Sequence, residues 1–166
     1  INYSKYDYIL ILDLIEHLNG PEKFLEDLKN KLKNNIRPQI IITTPNIAFF
    51  IIRLMLLFGQ FNYGKRGILD KTHTRLFTFS TLKRLITQSD FMLVSSKGIP
   101  APYPLAIGNN FFSKSLTYLN IFLIKISKSL FSYQIMYEIK PNTSLDQLID
   151  EAHKKSEEIT LDIRKD

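Results

Sequence analysis

Asp13, Glu16 and His17 put two carboxylates and an imidazole within five residues, directly after the apolar run from Tyr8 to Leu12. An imidazole with an unperturbed pKa of about 6.5 is largely neutral near pH 7 and can accept a proton. Glu16, beside it in sequence, can orient the ring or offer an oxygen as a ligand. A second histidine, His73, follows 56 positions later in a polar stretch. A run of Ile and Leu accounts for a core strand but not for three ionisable groups at its end. Open α/β sheets place their chemistry there, outside the carboxyl ends of the strands. The plainer alternatives stay open: Asp13 capping a turn, His17 as a hydrogen-bonded packing histidine, and His73 pinning a loop with Asp70 as its partner.

The elements that must position these groups are legible from periodicity. Tyr8–Leu12 is apolar on both faces, as a central parallel strand would be. Asn19, Gly20 and Pro21 open a helix with Pro at its first position, and Phe24, Leu25, Leu28 and Leu32 form its apolar face before Asn34 and Asn35 end it. Gln39–Thr43 is a second buried strand, completing a right-handed crossover of a parallel sheet. An apolar segment to Phe58 and a polar, Gly-containing loop from Gly59 to Thr78 follow; a loop of that length is usually functional or mobile. Ser80 or Thr81 caps a helix carrying Leu82, Leu85 and Ile86. Phe91–Ser96 reads as a strand, 97–110 as loop, Phe111–Lys128 as helix, and Leu130–Ile139 as a last strand able to pair antiparallel. Ser144 and Gln147 have capping-box spacing and predict a charged C-terminal helix with Leu145, Leu148, Ile149 and Ala152 inward. The expected fold class is therefore α/β, with a domain over 1–140 and a charged helical tail over 141–166.

The 166 residues suffice for one domain with a real core. A formal charge of +6 mildly favours acidic or phosphate-bearing partners, but Lys and Arg are scattered, so no specific nucleic-acid footprint is expected. The absence of cysteine excludes disulfides, thiolate metal sites and a Cys nucleophile, and fits a reducing, cytoplasmic compartment. The chain opens on Ile1 and runs almost at once into a strand, which reads as a cut edge with upstream sequence missing. Ile47–Phe58 and Leu116–Ile126 are each shorter than the roughly 20 apolar residues a bilayer span needs. Both are read as buried helix, with a lid lying on lipid or a greasy substrate as the alternative, so no transmembrane span is expected and peripheral membrane contact stays open.

Taken together, several pieces resemble the C-terminal half of a class I S-adenosylmethionine-dependent methyltransferase, in the branch whose fourth strand ends in a Glu-His motif. They are Tyr6, Asp7 and Tyr8 entering the strand; Asp13, Glu16, His17 and Leu18 leaving it; Gly20 and Pro21 opening the next helix; and Thr44, Pro45 and Asn46 after the following strand. Phe61, Tyr63 and Gly64, then Gly67, Asp70, His73, Arg75, Phe77 and Thr78, extend the match. The resemblance covers some four-fifths of the chain. It implies a Rossmann-like, mostly parallel sheet with flanking helices, incomplete and equivalent to strands four to seven of that fold. It departs from the family in one respect: none of the six glycines stands in a Gly-x-Gly arrangement, the donor-binding loop of such enzymes.

The resemblance implies methyl transfer to oxygen of a small molecule, sugar or glycan hydroxyl, by a fragment deficient in donor binding. A truncated, non-catalytic interaction module or gene remnant is the alternative. His17 and Glu16 become the catalytic candidates, Asp13 and Leu14 contacts to the S-adenosylmethionine donor, and Asn46, Tyr63, His73 and Arg75 the acceptor pocket. Small-RNA 3′-end methyltransferases and ubiquinone-pathway O-methyltransferases are similar in carrying Glu-x-x-Glu-His, with a distant His in the RNA enzymes, around a divalent ion. By that analogy Asp13, Glu16, His17 and His73 would hold Mg²⁺ or Mn²⁺, with Asp13 where those enzymes have Glu.

Overall fold

The computed structural model describes residues 3–32 and 38–142. Its framework is a four-stranded sheet of β1 (Tyr8–Leu12), β2 (Gln39–Pro45), β3 (Phe91–Ile99) and β4 (Gln134–Pro141), in the order β1-β2-β4-β3. β1 pairs parallel with β2, Tyr8 opposite Gln39 through Leu12 opposite Thr43. β4 lies antiparallel between β2 and β3, so three strands run one way and β4 against them. The sheet is open and mixed, and the fold is α/β.

One face of the sheet is covered by α1 (Pro21–Leu32) and α3 (Phe79–Gln88). Pro21 starts α1 because its missing N–H would be unsatisfied there in any case and its φ is preset. Leu25, Leu28 and Leu32, at helical spacing, meet Ile11, Ile40, Ile42 and Ile139 from the sheet. Leu82, Leu85 and Ile86 of α3 complete this core. Each fully buried side chain of this kind contributes about 1.5–3 kcal/mol. The cap of α3 is Thr78, not Ser80 or Thr81. Its Oγ1 accepts from the Thr81 N–H at 3.2 Å while its own N–H donates to Thr81 Oγ1 at 2.8 Å. Thr81 thus plays the part that Glu or Gln takes in the usual capping box.

Three expectations are corrected. Among the described residues β1 stands at the margin of the sheet and is not apolar-buried on both faces: its odd-numbered Ile9 and Ile11 face the core, while Tyr8, Leu10 and Leu12 are exposed on the opposite face. The segment Ile47–Phe58 forms α2 (Phe50–Leu57), yet it is not a buried helix: only Ile52 within it is buried. The 97–110 segment is not all loop, since β3 runs to Ile99 and Tyr103–Ile107 forms a short helix, α4.

The second stretch expected to be buried, Leu116–Ile126, belongs to α5 (Phe111–Ile126), and it is built inside out. Its buried positions include Ser113 and Asn120, with Asn120 only 2% exposed, while Phe111 is 89% exposed. The polar side chains are satisfied locally. Asn120 Oδ1 accepts from the Ala101 N–H at 2.9 Å and its Nδ2 donates to the Phe131 carbonyl at 2.8 Å. Asn110 caps the helix, accepting from the Ser113 N–H at 2.8 Å. A short α6 (Lys128–Phe131) leads into β4. The last strand therefore begins at Gln134 and not at Leu130. The expected charged helix after Ser144 lies outside the described residues.

Candidate functional site

β1 delivers the chain to the rim of the sheet, where it turns sharply at Asp13. This residue takes a left-handed backbone conformation (φ 47°), which Asp tolerates better than most. Thr43 on the neighbouring strand secures the turn: Asp13 N–H donates to Thr43 O and to its Oγ1, both at 3.1 Å. The carboxylate is engaged as well, accepting from Thr43 Oγ1 at 3.1 Å and from Gln134 Nε2 at 2.8 Å. The residues Ile15–His17 then wind into a single 3₁₀ turn.

The long loop closes over this turn. Thr74 and Arg75 both donate their N–H groups to the Glu16 carbonyl, at 2.9 and 3.1 Å, and Thr74 Oγ1 donates to the carbonyls of Glu16 and Leu18 at 3.0 Å each. His73 is thereby brought against His17, ring centroids 4.8 Å apart and planes inclined at 70°. Each ring is held by its Nδ1. That of His17 lies 3.2 Å from the Thr72 carbonyl and that of His73 3.0 Å from the Ile68 carbonyl. A carbonyl oxygen can only accept, so in both contacts Nδ1 is the donor, which leaves Nε2 as the nitrogen of each ring not engaged in these bonds.

Glu16 completes the group. It is 1% exposed, and neither of its carboxylate oxygens has a hydrogen-bonding partner. The Thr44 hydroxyl stands nearby and completes no hydrogen bond either. Burial pushes the Glu16 carboxyl above the ordinary carboxylate range and the Asp13 charge adds to the rise; the polar groups beside it, its own backbone, the Thr44 hydroxyl and the His73 imidazole, offset part of that rise without completing a hydrogen bond. Leaving such a group unpaired is costly, and an unpaired buried acid at a rim marks a functional candidate. One ligand atom each from Glu16, His17 and His73 lies within 4.8 Å of the others. An anionic oxygen with two imidazole lone pairs suits a divalent cation such as Mn²⁺, Mg²⁺ or Zn²⁺. These three residues could hold one, and the carbonyls behind the histidines would fix their tautomers as outer-shell partners do.

The other expected site residues are placed as follows. Asp13, the expected fourth ligand, is not in this group, because Thr43 and Gln134 occupy its carboxylate. Leu14 is exposed at the rim beside it. Asn46 is fully buried and structural: its Nδ2 donates to the carbonyls of Ser129 and Ser132 at 2.9 and 2.8 Å, and its Oδ1 accepts from the Ala48 N–H. Tyr63 is exposed and packs edge-on against Phe61. Arg75 forms an ion pair with Glu22 of α1 and lies over the Phe77 ring. Asp70 meets His73 through the backbone, its carbonyl accepting from the His73 N–H at 3.0 Å; its carboxylate accepts instead from the Thr72 N–H and Oγ1, and these bonds hold the carboxyl below the ordinary range. Sequence reasoning passed over Thr74 and the Ile68 and Thr72 carbonyls, although the threonines flanking His73 were a visible sign of a loop rich in local hydrogen bonds.

No family model matches the chain. A stretch of 73 residues is 36% identical to the Small RNA 2'-O-methyltransferase of Tetrahymena thermophila, covering 42% of this chain and 15% of that protein. Among solved structures, a SAM-dependent methyltransferase from Archaeoglobus fulgidus aligns with a TM-score of 0.43 and 20% identity over 81% of this chain. A candidate methyltransferase from Bacillus halodurans aligns with a TM-score of 0.41 and 13% identity over 83% of it. The chain spans 15% of the length of the curated relative, and 58% and 65% of the two solved chains.

Proposed function

We propose that this chain is the acceptor-side part of an S-adenosylmethionine-dependent O-methyltransferase whose Glu16, His17 and His73 hold a divalent cation beside the hydroxyl to be methylated. The observation that carries the reading is the buried Glu16 carboxylate, unpartnered and grouped with two imidazoles whose Nδ1 atoms are held by backbone carbonyls. Methyl transfer requires an aligned oxygen nucleophile, and a hydroxyl is a poor one near pH 7. A bound divalent ion would supply the lowered hydroxyl pKa. The chain's own residues orient the imidazoles through the carbonyls of Ile68 and Thr72 and exclude water around Glu16.

The donor would approach the rim at Asp13 and Leu14. The residues here suit only that part of a donor site, since these 166 residues contain no Gly-x-Gly loop. The acceptor class in this reading is a sugar hydroxyl. A second reading, the 2′-hydroxyl of an RNA ribose, is favoured by the 73-residue match to a protein named for that activity. A non-catalytic interaction module is the reading that remains if no cation binds.

Titration of the purified chain with Mn²⁺, followed by calorimetry and by the loss of the free-ion electron spin resonance signal, tests the proposal. One site per chain is expected, lost in His73→Ala and in Glu16→Gln with the fold retained by circular dichroism. Binding that survives both substitutions, or no binding at all, ends the metal assignment. Transfer of label from S-adenosylmethionine to RNA ending in ribose, against RNA ending in 2′-deoxyribose or a free glycan, separates the two acceptors.

A further inference from the structure

The outward face of α5 is unlike any surface a helix turns to water. At 100° per residue, its exposed positions from Ile121 round to Phe112 occupy about half the circumference. Phe111, Tyr118, Leu119, Phe122 and Ile126 stand within that arc. Lys114 and Lys125, eleven residues and so three turns apart, form a line along one flank of it. α4 adds Leu105, 89% exposed. α2 touches α6 through the Phe50 and Phe131 rings, 5.8 Å apart, and itself exposes Ile51, Leu54, Leu56 and Leu57.

The charge on these segments has one sign. Residues 46–69 and 91–137 together contain seven Lys and Arg and none of the chain's 16 acidic residues. Monomeric soluble proteins rarely leave an apolar patch this broad uncovered. Lysine is depleted from the cores of protein–protein interfaces, whereas a wide apolar face bordered by cations is the pattern of helices that lie in the headgroup region of a bilayer. Among the described residues no helix is long and apolar enough to cross a membrane, so the contact would be peripheral.

We infer that α5, with α4 packed against it, docks this protein on an anionic lipid bilayer. Its aromatic and aliphatic face enters the interface, and Lys114 and Lys125 meet lipid phosphates. The inside-out build of α5 follows from this. Ser113, Thr117 and Asn120 find their partners within the protein, leaving the greasy residues free for the membrane. The inference is independent of the methyl-transfer reading and survives its failure.

Co-sedimentation of the full chain with vesicles of phosphatidylcholine alone, or of phosphatidylcholine with phosphatidylglycerol, is the test. Partition onto the anionic vesicles should exceed that onto neutral ones at least tenfold and fall as salt rises. Lys114→Gln and Lys125→Gln should each cost about five-fold, from ~1 kcal/mol per cation near such a surface. The pair Leu119→Ser with Phe122→Ser should abolish binding, while Leu10→Ser, on the bare sheet face, should leave it unchanged. Equal partition onto both vesicles, or wild-type binding by the α5 variants, overturns the proposal. So does a concentration-dependent dimer in sedimentation velocity that the same α5 substitutions dissolve, which would assign this face to a second copy of the chain.

Discussion

The two helical layers of this molecule obey opposite rules. α1 and α3 bury leucine and isoleucine and turn charge outward, and what they cover is a sheet. α2 and α5 leave most of their large apolar residues outside and, in α5, bury Ser and Asn. The first layer is held to the sheet by the hydrophobic effect. The second has only a small core of its own, Phe49, Ile52, Ile68 and Leu69, and is fastened as well through directional bonds from a few buried amides, Asn46 and Asn120 foremost. Amphipathicity therefore gives the partner of a helix face only when the partner is the protein itself.

The contrast can be broken most forcefully in the first layer. Leu82→Ala, at a fully buried position of α3, should cost about 2–5 kcal/mol in denaturant unfolding. In the second layer the sensitive points are polar or crowded. Gly98→Ala would drive a Cβ into Ser132 Oγ, and about 1–3 kcal/mol should be lost as α6 shifts. Asn120→Ala should cost about as much by leaving the Ala101 N–H and Phe131 carbonyl unpaired, and Asn120→Asp should not rescue it. Phe122→Ser, by contrast, should change stability in solution by no more than about 0.5 kcal/mol, since it faces outward. If it destabilised the fold as Leu82→Ala does, the two layers would not differ as described.

Glu16 sharpens the comparison through pH. Its carboxyl is raised above the ordinary 4.5 in the folded protein, chiefly by burial. Below that ordinary value it is protonated in both states and the folded state keeps its full advantage. As pH rises, the unfolded chain ionises first, and stability is lost until the folded value has been passed. Glu16→Gln should remove this slope. In metal-free thermal unfolding the variant should match the parent near pH 4 and exceed it at pH 7. The smallest effect belongs to the exposed Arg75–Glu22 pair: Glu22→Gln should cost about 0.5 kcal/mol or less and vanish in high salt.

Much of the first layer and of the rim was legible in the residues. Pro21, the Leu25-Leu28-Leu32 spacing and the Asp13-Glu16-His17 cluster each carry a local rule that the fold obeys. The approach of His73 to His17 was anticipated only through the resemblance. What makes it happen, two backbone carbonyls and the Thr74 hydroxyl, leaves almost no trace in a sequence because carbonyls are common to every residue. The second layer misled for a different reason. An apolar side chain declares that it avoids water, not which neighbour replaces the water, and Ser113, Thr117 and Asn120 trace a polar stripe that ordinarily faces outward. Asn46, following Thr44 and Pro45, suggests a residue that shapes the strand exit as well as one that lines an acceptor pocket, and its amide does tie that strand end to the segment 83 and 86 residues further on.

The outer margin of β1 carries a further consequence. Among the described residues no strand pairs with that side, so a ladder of backbone donors and acceptors is open beside the exposed Tyr8, Leu10 and Leu12. Such a margin is a template for strand addition, and nothing in the strand itself, neither proline nor lysine, guards against it. For the chain as it stands, a single Leu10→Lys change should therefore lengthen the lag before turbidity develops in concentrated solution.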